Sequence, residues 1–328
     1  MLKEISIEII RRCPNNCLHC SSSSGLNCDE IISFEKFLDV VNGAVELGLQ
    51  TICFSGGEPF LHPEIIRMIE FVYEKGLNSY VYTSGIILDE YKKKAPLPEA
   101  MLREISRKVT KLIYNIEAAN PNTYDLIMGT KGCFDFLKQS VINANKCGIV
   151  TEAHFVPMRL NVSEVEPTIL LCEQLGISKI SFLRLVSHGR AFNNKSQIAL
   201  SNEETNALKN KLSQIKKKST LNVRVGVPLS EEESKHDCEA ANGKLNIKYD
   251  GFVYPCEVFK NDHVRINECN MMPENICENN IKNIYNNSSY LNVVRKFVKE
   301  FTCAKTCENC IGQYFIDSYY EESEKDGK

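Results

Sequence analysis

Two kinds of apolar pattern alternate along the first 200 or so positions. Short runs rich in β-branched and aromatic residues occur at Ile5–Ile10, Thr51–Phe54, Ser79–Tyr82, Leu112–Glu117, Thr151–Val156 and Lys179–Arg184, the composition expected of strands. Between them, apolar residues recur every three or four positions near Ser33–Leu47, Pro63–Lys75, Pro98–Arg107, Phe134–Cys147 and Val162–Leu175, and again at Asn202–Lys218, which predicts amphipathic helices. Ser33 stands at an N-cap position, Pro63 at a first helical turn, and Gly48, Gly76, Gly148 and Gly176 each follow a helix end, as capping chemistry requires. Repetition of helix, glycine and strand predicts βαβ units and a parallel sheet. Six such strands make an α/β fold, a partial (β/α)6 TIM-like barrel whose chemistry belongs at the C-terminal strand ends.

After Lys218 the texture changes. Leu245–Tyr249 and Phe252–Pro255 flank Asp250-Gly251, a hairpin signal. Beyond it the chain is rich in Asn, Glu and Cys, and the segment after Tyr320 has no apolar periodicity, so disorder is expected there. The reading is a barrel over 1–218, a small second domain over 219–316 and a tail over 317–328.

Composition narrows the function classes. The 328 residues are 43% hydrophobic and 25% charged with a net charge of −3, so no global basic field points to nucleic acid or anionic lipid. No apolar run approaches the roughly 20 residues of a membrane helix, and the start is too acidic for a signal peptide. With four residues before the first strand, no N-terminal recognition domain is expected, and the expected compartment is the cytoplasm. Fifteen cysteines stand out, because a cytoplasmic chain this rich in cysteine more often binds metal than forms disulfides.

Cys13-Pro-Asn-Asn-Cys17-Leu-His-Cys20 follows the first strand. Three thiolates suit a [4Fe–4S] cube with one iron left open for chemistry; a zinc site would need a fourth ligand such as Cys28 or His19. After the second strand comes Ser55-Gly56-Gly57-Glu58-Pro59. There, two glycines let backbone approach a ligand closely, and the Glu58 carboxylate and neighbouring carbonyls can accept from an ammonium group. Cys-x3-Cys-x2-Cys followed by Gly-Gly-Glu-Pro, in this order and on these elements, resembles the radical S-adenosylmethionine (SAM) superfamily.

The resemblance implies that Cys13, Cys17 and Cys20 hold a cluster whose open iron is chelated by SAM, and that the turn 55–59 holds the amino group of SAM. It implies that His19 packs near the adenine. Ser84, in Tyr82-Thr83-Ser84-Gly85, and Asn115 and Glu117, in Asn115-Ile116-Glu117-Ala118, fall where relatives reach the ribose and carboxylate of SAM. Asn115 and Glu117 depart from the family's commoner residues. Val156–Asn161 resembles the fifth-strand exit. One electron passed to SAM then gives methionine and a 5′-deoxyadenosyl radical, which takes a hydrogen atom from substrate.

Cys238, twelve residues, Gly251, four residues, Cys256 matches the opening of the SPASM motif, found in superfamily members with auxiliary clusters. Cys307-x2-Cys310 follows with no later cysteine, which resembles the shortened twitch form with one auxiliary [4Fe–4S] cluster on Cys238, Cys256, Cys307 and Cys310. A structural zinc site is the alternative. Cys303 could replace Cys307 or Cys310, and Cys269 and Cys277 are spare. Cys53, Cys133, Cys147 and Cys172 read as packing thiols, although a thiol facing the barrel mouth could return a hydrogen atom in an epimerase.

For the substrate, two classes compete: a ribosomally made peptide, epimerised, crosslinked or oxidised, and a small polar metabolite such as an aminocyclitol. An iron–sulfur electron carrier would leave the Gly-Gly-Glu-Pro turn unexplained. The chemistry calls for a one-electron reductant such as flavodoxin or ferredoxin. Arg184, His188 and Arg190, after the sixth strand, are candidate substrate contacts. No side chain is identified as a catalytic acid or base.

Overall fold

A computed structural model describes the chain except residues 228, 231–237, 261–271, 305–309, 311, 313 and 315–328, and the side chains of 301–304. The strands are β1 (Glu4–Ile10), β2 (Thr51–Gly56), β3 (Asn78–Thr83), β4 (Ile86–Leu88), β5 (Lys94–Pro96), β6 (Lys111–Asn115), β7 (Thr151–Phe155), β8 (Lys179–Phe182), β9 (Asn222–Val225), β10 (Lys244–Ile247) and β11 (Val253–Tyr254). The helices are α1 (Phe34–Val45), α2 (Ile65–Glu74), α3 (Glu99–Ile105), α4 (Pro121–Met128), α5 (Cys133–Lys146), α6 (Val165–Gln174), α7 (Arg190–Asn193), α8 (Lys195–Ile198), α9 (Asn202–Lys218), α10 (Ile281–Asn287) and α11 (Ser289–Ala304). Two compact units result: one from the described residues of Met1–Glu8, Ile32–Ile52 and Glu232–Lys328, the other from Ile9–Ile31 and Cys53–Glu231. β1 and β2 contribute residues to both.

In the larger unit the strand order is β1-β2-β3-β6-β7-β8-β9, and the pairs from β3 to β9 are parallel. The order never reverses, so successive crossovers wind one way, as in a barrel; a doubly wound sheet reverses at a switch point. The fold is therefore the expected α/β partial barrel. All six expected strands are present, and β9 adds a seventh parallel strand. Helix α2 buries Ile65, Met68, Ile69 and Val72, the three-and-four spacing that gives a helix one apolar face. Phe155 and Phe182 pack with ring centroids 5.3 Å apart. At the N-terminal strand ends, Glu152 bridges Lys111 at 2.9 Å and Lys179 at 3.1 Å, a structural ion ladder at the end opposite the cysteine loop.

In the smaller unit, β10 pairs in parallel with β1, Glu4 opposite Lys244 and Ile7 opposite Ile247, and β11 returns antiparallel to β10. The expected hairpin is present, with Gly251 at φ 88°, but its first arm is also a parallel partner of β1. Both faces of β1 are buried: Ile5, Ile7 and Ile9 on one, Ser6 and Glu8 on the other, which is the condition of a central strand. The Glu8 carboxylate is paired with the Lys260 ammonium, and both side chains are buried. Helix α1 is capped by Ser33, whose side chain accepts from the Lys36 N–H. The expected domain boundary at 218/219 differs from this division, which assigns two N-terminal segments to the C-terminal unit. The expected tail, 317–328, lies outside the described residues.

Candidate functional site

The loop after β1 carries Cys13, which is buried, and Cys17 and Cys20, which are partly exposed. Three elements of the larger unit grip it through backbone. The turn after β2 donates from Gly57 N–H to the Ile10 carbonyl at 2.7 Å and from Glu58 N–H to the Arg12 carbonyl at 2.9 Å. The last carbonyls of α4 accept from the loop, Met128 from Asn16 N–H at 3.1 Å and Ile127 from Leu18 N–H at 2.8 Å, which satisfies groups a helix end leaves open. The start of α7 donates from Arg190 N–H to the Cys20 carbonyl at 3.0 Å. These approaches leave no room for a side chain. A Cβ at Gly57 would lie 2.1 Å from the Arg12 oxygen, and one at Gly189 2.6 Å from the Ser21 oxygen. Gly56 holds φ 127°, which L residues rarely adopt. Gly57 is thus explained by the cysteine loop it touches, and Gly56 by its backbone angle.

Glu58 is fully buried. One of its carboxylate oxygens accepts from Thr83 Oγ1 at 2.7 Å and Phe60 N–H at 3.3 Å; the other accepts from Ser84 N–H at 2.9 Å and Ser84 Oγ at 2.6 Å. Burial pushes its pKa up, and the donors from Ser84, Thr83 and Phe60 oppose that shift. The sequence reading gave this carboxylate to an ammonium group. In the structure it is saturated by its own chain, and it locks the β2 exit to the β3 exit.

The β6 exit forms a second polar group. Glu117 is fully buried. Its carboxylate accepts from Val156 N–H at 2.8 Å, faces His19 Nε2 at 3.3 Å and contacts Asn115 Nδ2 at 3.5 Å. Asn161, also buried, donates to the Glu117 and Val156 carbonyls at 2.8 and 3.1 Å. The structure therefore brings His19, Asn115 and Glu117 together, and adds Asn161 as the residue that ties β6 to the segment after β7.

Arg190, expected to contact substrate, is tied to the cysteine loop instead. It donates from Nε to the Cys17 carbonyl at 2.9 Å and from Nη2 to the Ser24 carbonyl at 2.7 Å. Asn194 Nδ2 adds a bond to the Leu18 carbonyl at 3.0 Å. His188 is buried and Arg184 half-buried.

The donor set suits a cluster better than one ion. Three thiols on one loop are donors of the kind a cube takes, since its thiolates bind different irons and need not converge on one point. Burial pushes the Cys13 and Cys17 thiols up, and neighbouring thiols add to it, so an electropositive group is needed to hold them as thiolates. Asn15 Nδ2, His19 Nδ1 and Ser24 Oγ are buried atoms of this region that lack a hydrogen-bond partner. No disulfide joins any described cysteine.

In the smaller unit, Cys238, Cys256 and Cys310 are partly exposed. Ala241 N–H donates to the Pro255 carbonyl at 3.0 Å, which aligns the segments that carry Cys238 and Cys256. Burial pushes the Cys256 thiol up, and Glu257 and Cys310 add to that shift. Cys277 is exposed. Cys307 and Cys269, and the side chain of Cys303, lie outside the described residues.

Comparison with known proteins agrees with this layout. The radical SAM superfamily model matches residues 7–172, and an iron–sulfur cluster-binding domain, SPASM, matches 238–311. PqqA peptide cyclase of Rhizobium meliloti (strain 1021) is 26% identical over 309 residues, 92% of this chain and 78% of that one. Fe-coproporphyrin III synthase of Methanosarcina barkeri is 25% identical over 55% of this chain and 43% of its own length. Among solved structures, Streptococcus suis SuiB bound to S-adenosylmethionine superposes with a TM-score of 0.72 at 15% identity, covering 95% of this chain and 74% of that one. The family implies SAM and a [4Fe–4S] cluster, and its C-terminal domain implies auxiliary iron–sulfur ligation. The chain belongs to the radical SAM superfamily and carries a SPASM-type iron–sulfur domain at its C-terminal end.

Proposed function

We propose that this chain takes a hydrogen atom from a ribosomally made peptide and thereby epimerises, crosslinks or oxidises it, as an oxidoreductase or isomerase of the cytoplasm. The observation that carries the reading is the cysteine loop clamped on three sides by backbone, with two buried carboxylates, Glu58 and Glu117, fixing the strand exits beside it. When bound, the cluster and SAM supply a 5′-deoxyadenosyl radical. Cys13, Cys17 and Cys20 hold that cluster. The carbonyls of Ser55, Gly56 and Gly57 and the neighbouring Pro59 turn receive the ammonium of SAM. Ser84, Asn115 and the His19–Glu117 pair line the nucleoside side. Cys238, Cys256, Cys307 and Cys310 would hold a second [4Fe–4S] cluster, which would supply a one-electron acceptor for a net oxidation. Arg184 and His188 are the remaining candidates for substrate carbonyls or carboxylates. The reductant is a one-electron carrier of flavodoxin or ferredoxin type; neither nucleic acid nor membrane takes part. Among the described residues no helix is long and apolar enough to cross a membrane.

A peptide is favoured because relatives named for peptide chemistry, the PqqA peptide cyclases, match 92% of the chain in one case. A solved neighbour, SuiB, is bound to precursor peptide SuiA. The porphyrin synthase match supports the second reading, a small molecule. To test this, the anaerobically reconstituted protein is reduced and mixed with synthetic peptides encoded beside its gene in D2O. Deuterium incorporation or loss of two hydrogens in a peptide supports the reading. SAM cleavage with no change in any such peptide, and turnover of a small metabolite instead, overturns it.

A further inference from the structure

Side chains alternate across a strand, and the parallel registers of the larger unit fix which of them share a face. Ala153, Ile180 and Val223 stand side by side on β7, β8 and β9. They are buried, on the face that α5 and α9 pack against. One residue further on, the opposite, inner face carries Asn115, His154, Ser181 and Arg224 side by side on β6, β7, β8 and β9. Bulky branched side chains ordinarily fill that position in a barrel. Here one level presents an amide, an imidazole, a hydroxyl and a guanidinium. Asn115 and His154 are half-buried and Arg224 is exposed, so the row is not closed over as a core. The Tyr82 ring lies against His154 with centroids 5.3 Å apart and fixes the imidazole in the row.

Charge gives the row a direction. At one end Asn115 Nδ2 contacts Glu117 at 3.5 Å, on the side assigned to the nucleoside. At the other end is Arg224, which forms no ion pair among the described residues. Residues 180–202 and 218–230, which carry β8, β9 and their exits, contain no Asp or Glu in a chain whose net charge is −3. Two residues below His154 on the same face, Glu152 is already taken by Lys111 and Lys179. Arg184, two residues past the end of β8, adds a second cation to this acid-free stretch. An unmatched guanidinium at the end of a polar row suits a carboxylate, which it can bind through two parallel hydrogen bonds.

We propose that the substrate lies along this row and that Arg224 binds one of its carboxylates, so that Arg224 sets specificity for an acidic peptide. This rests on the reading that the substrate is a peptide. From β6 to β9 is three inter-strand steps, roughly 14 Å, or about four residues of extended chain. The acid therefore stands about four residues from the residue that is modified.

The test uses the anaerobically reconstituted full chain, native and Arg224→Glu, with the peptides encoded beside its gene; tandem mass spectrometry maps the modified residue. Arg224→Glu should raise KM about tenfold with kcat little changed. The peptide whose acid about four residues away is changed to Lys should be a poor substrate for the native chain and recover with Arg224→Glu. Amidating the peptide C-terminus separates a terminal carboxylate from a side-chain one. Arg224→Gln, which removes the charge without reversing it, should show the same KM effect, smaller, in a protein with a native unfolding midpoint. A solvated edge-strand charge would move neither KM nor the charge-swap result. An unchanged KM in both variants overturns the proposal alone, as does a raised KM that no acid-to-Lys exchange rescues, or a modified residue with no carboxylate within reach. A native chain that modifies no peptide overturns the peptide reading and this proposal with it.

Discussion

The two cysteine sets are built on different principles. The first is one loop, residues 13–20, held by hydrogen bonds from the β2 turn, the end of α4 and the start of α7 before any metal is considered. The second, as proposed, draws its thiols from separated stretches of chain, at 238, 256 and 310; in the described residues a hairpin and the Ala241–Pro255 bond align the first two. A loop fixed by protein presents its thiols ready-placed. A set assembled from distant segments relies on the bound group to hold those segments together, because ligation and folding are then coupled. On the proposed assignment, radical generation belongs to the protein-held loop, and the second set would depend more on a bound cluster for its order.

Replacing Cys13, Cys17 and Cys20 together by Ala tests the separation most severely. About eight irons per chain should fall to about four, and SAM cleavage should vanish while the spectrum of the second cluster persists. A preparation holding zinc without sulfide would overturn the iron–sulfur reading, and loss of all iron in the triple variant would show that the two sites are not independent.

Cys310→Ala should remove about four irons and abolish product formation, yet leave SAM cleavage in place. Circular dichroism is needed beside the assay, to separate loss of the cluster from loss of fold, since metal ligation and folding are coupled. A well-folded Cys310→Ala protein that lacks the second cluster and makes product at the normal rate would refute its role in turnover.

Much of the first site was legible because its signals are local. Three cysteines within eight residues and two glycines before Glu58 fall at the ends of strands that apolar periodicity already locates. What was not legible is non-local or brief. The pairing of β10 with β1 joins Glu4 to Lys244, and no local pattern announces a partner so distant. β9 is four residues long, Asn-Val-Arg-Val, too short for alternation to stand out. Helix α4 has only eight residues, with Tyr124, Ile127 and Met128 buried. Its apolar pattern is weak, but Asn120, Pro121 and Gly129 spell an N-cap, a first turn and a C-terminal stop, and that signal would have found it. The role of Glu58 depends on Thr83 and Ser84, more than twenty residues away, which explains why sequence assigned its carboxylate to a ligand.

Glu58→Ala leaves buried donors from Phe60, Thr83 and Ser84 without an acceptor, at a cost of about 3 kcal/mol. The expected outcome is a lowered unfolding midpoint together with weaker SAM binding by calorimetry, with both clusters still assembled. If SAM affinity falls and stability does not, Glu58 contacts the ammonium directly and its network is secondary. If stability falls and affinity does not, the turn does not receive SAM.

Arg190→Lys gives the smallest effect and separates two roles for one side chain. The guanidinium reaches the Cys17 and Ser24 carbonyls at once, a fork that a lysine ammonium cannot reproduce. Its charge also lowers the pKa of Cys17, against the burial that raises it, and lysine retains that charge. Losing one of the two bonds should cost about 1 kcal/mol, a drop of about 2 °C in unfolding midpoint for a chain of this size, with iron content and substrate KM unchanged. A variant as stable as the native protein but with a raised KM would return Arg190 to the substrate-binding role that its place after β8 first suggested. The contrast between the sites would then weaken, because one of the three clamps on the first loop would belong to the substrate.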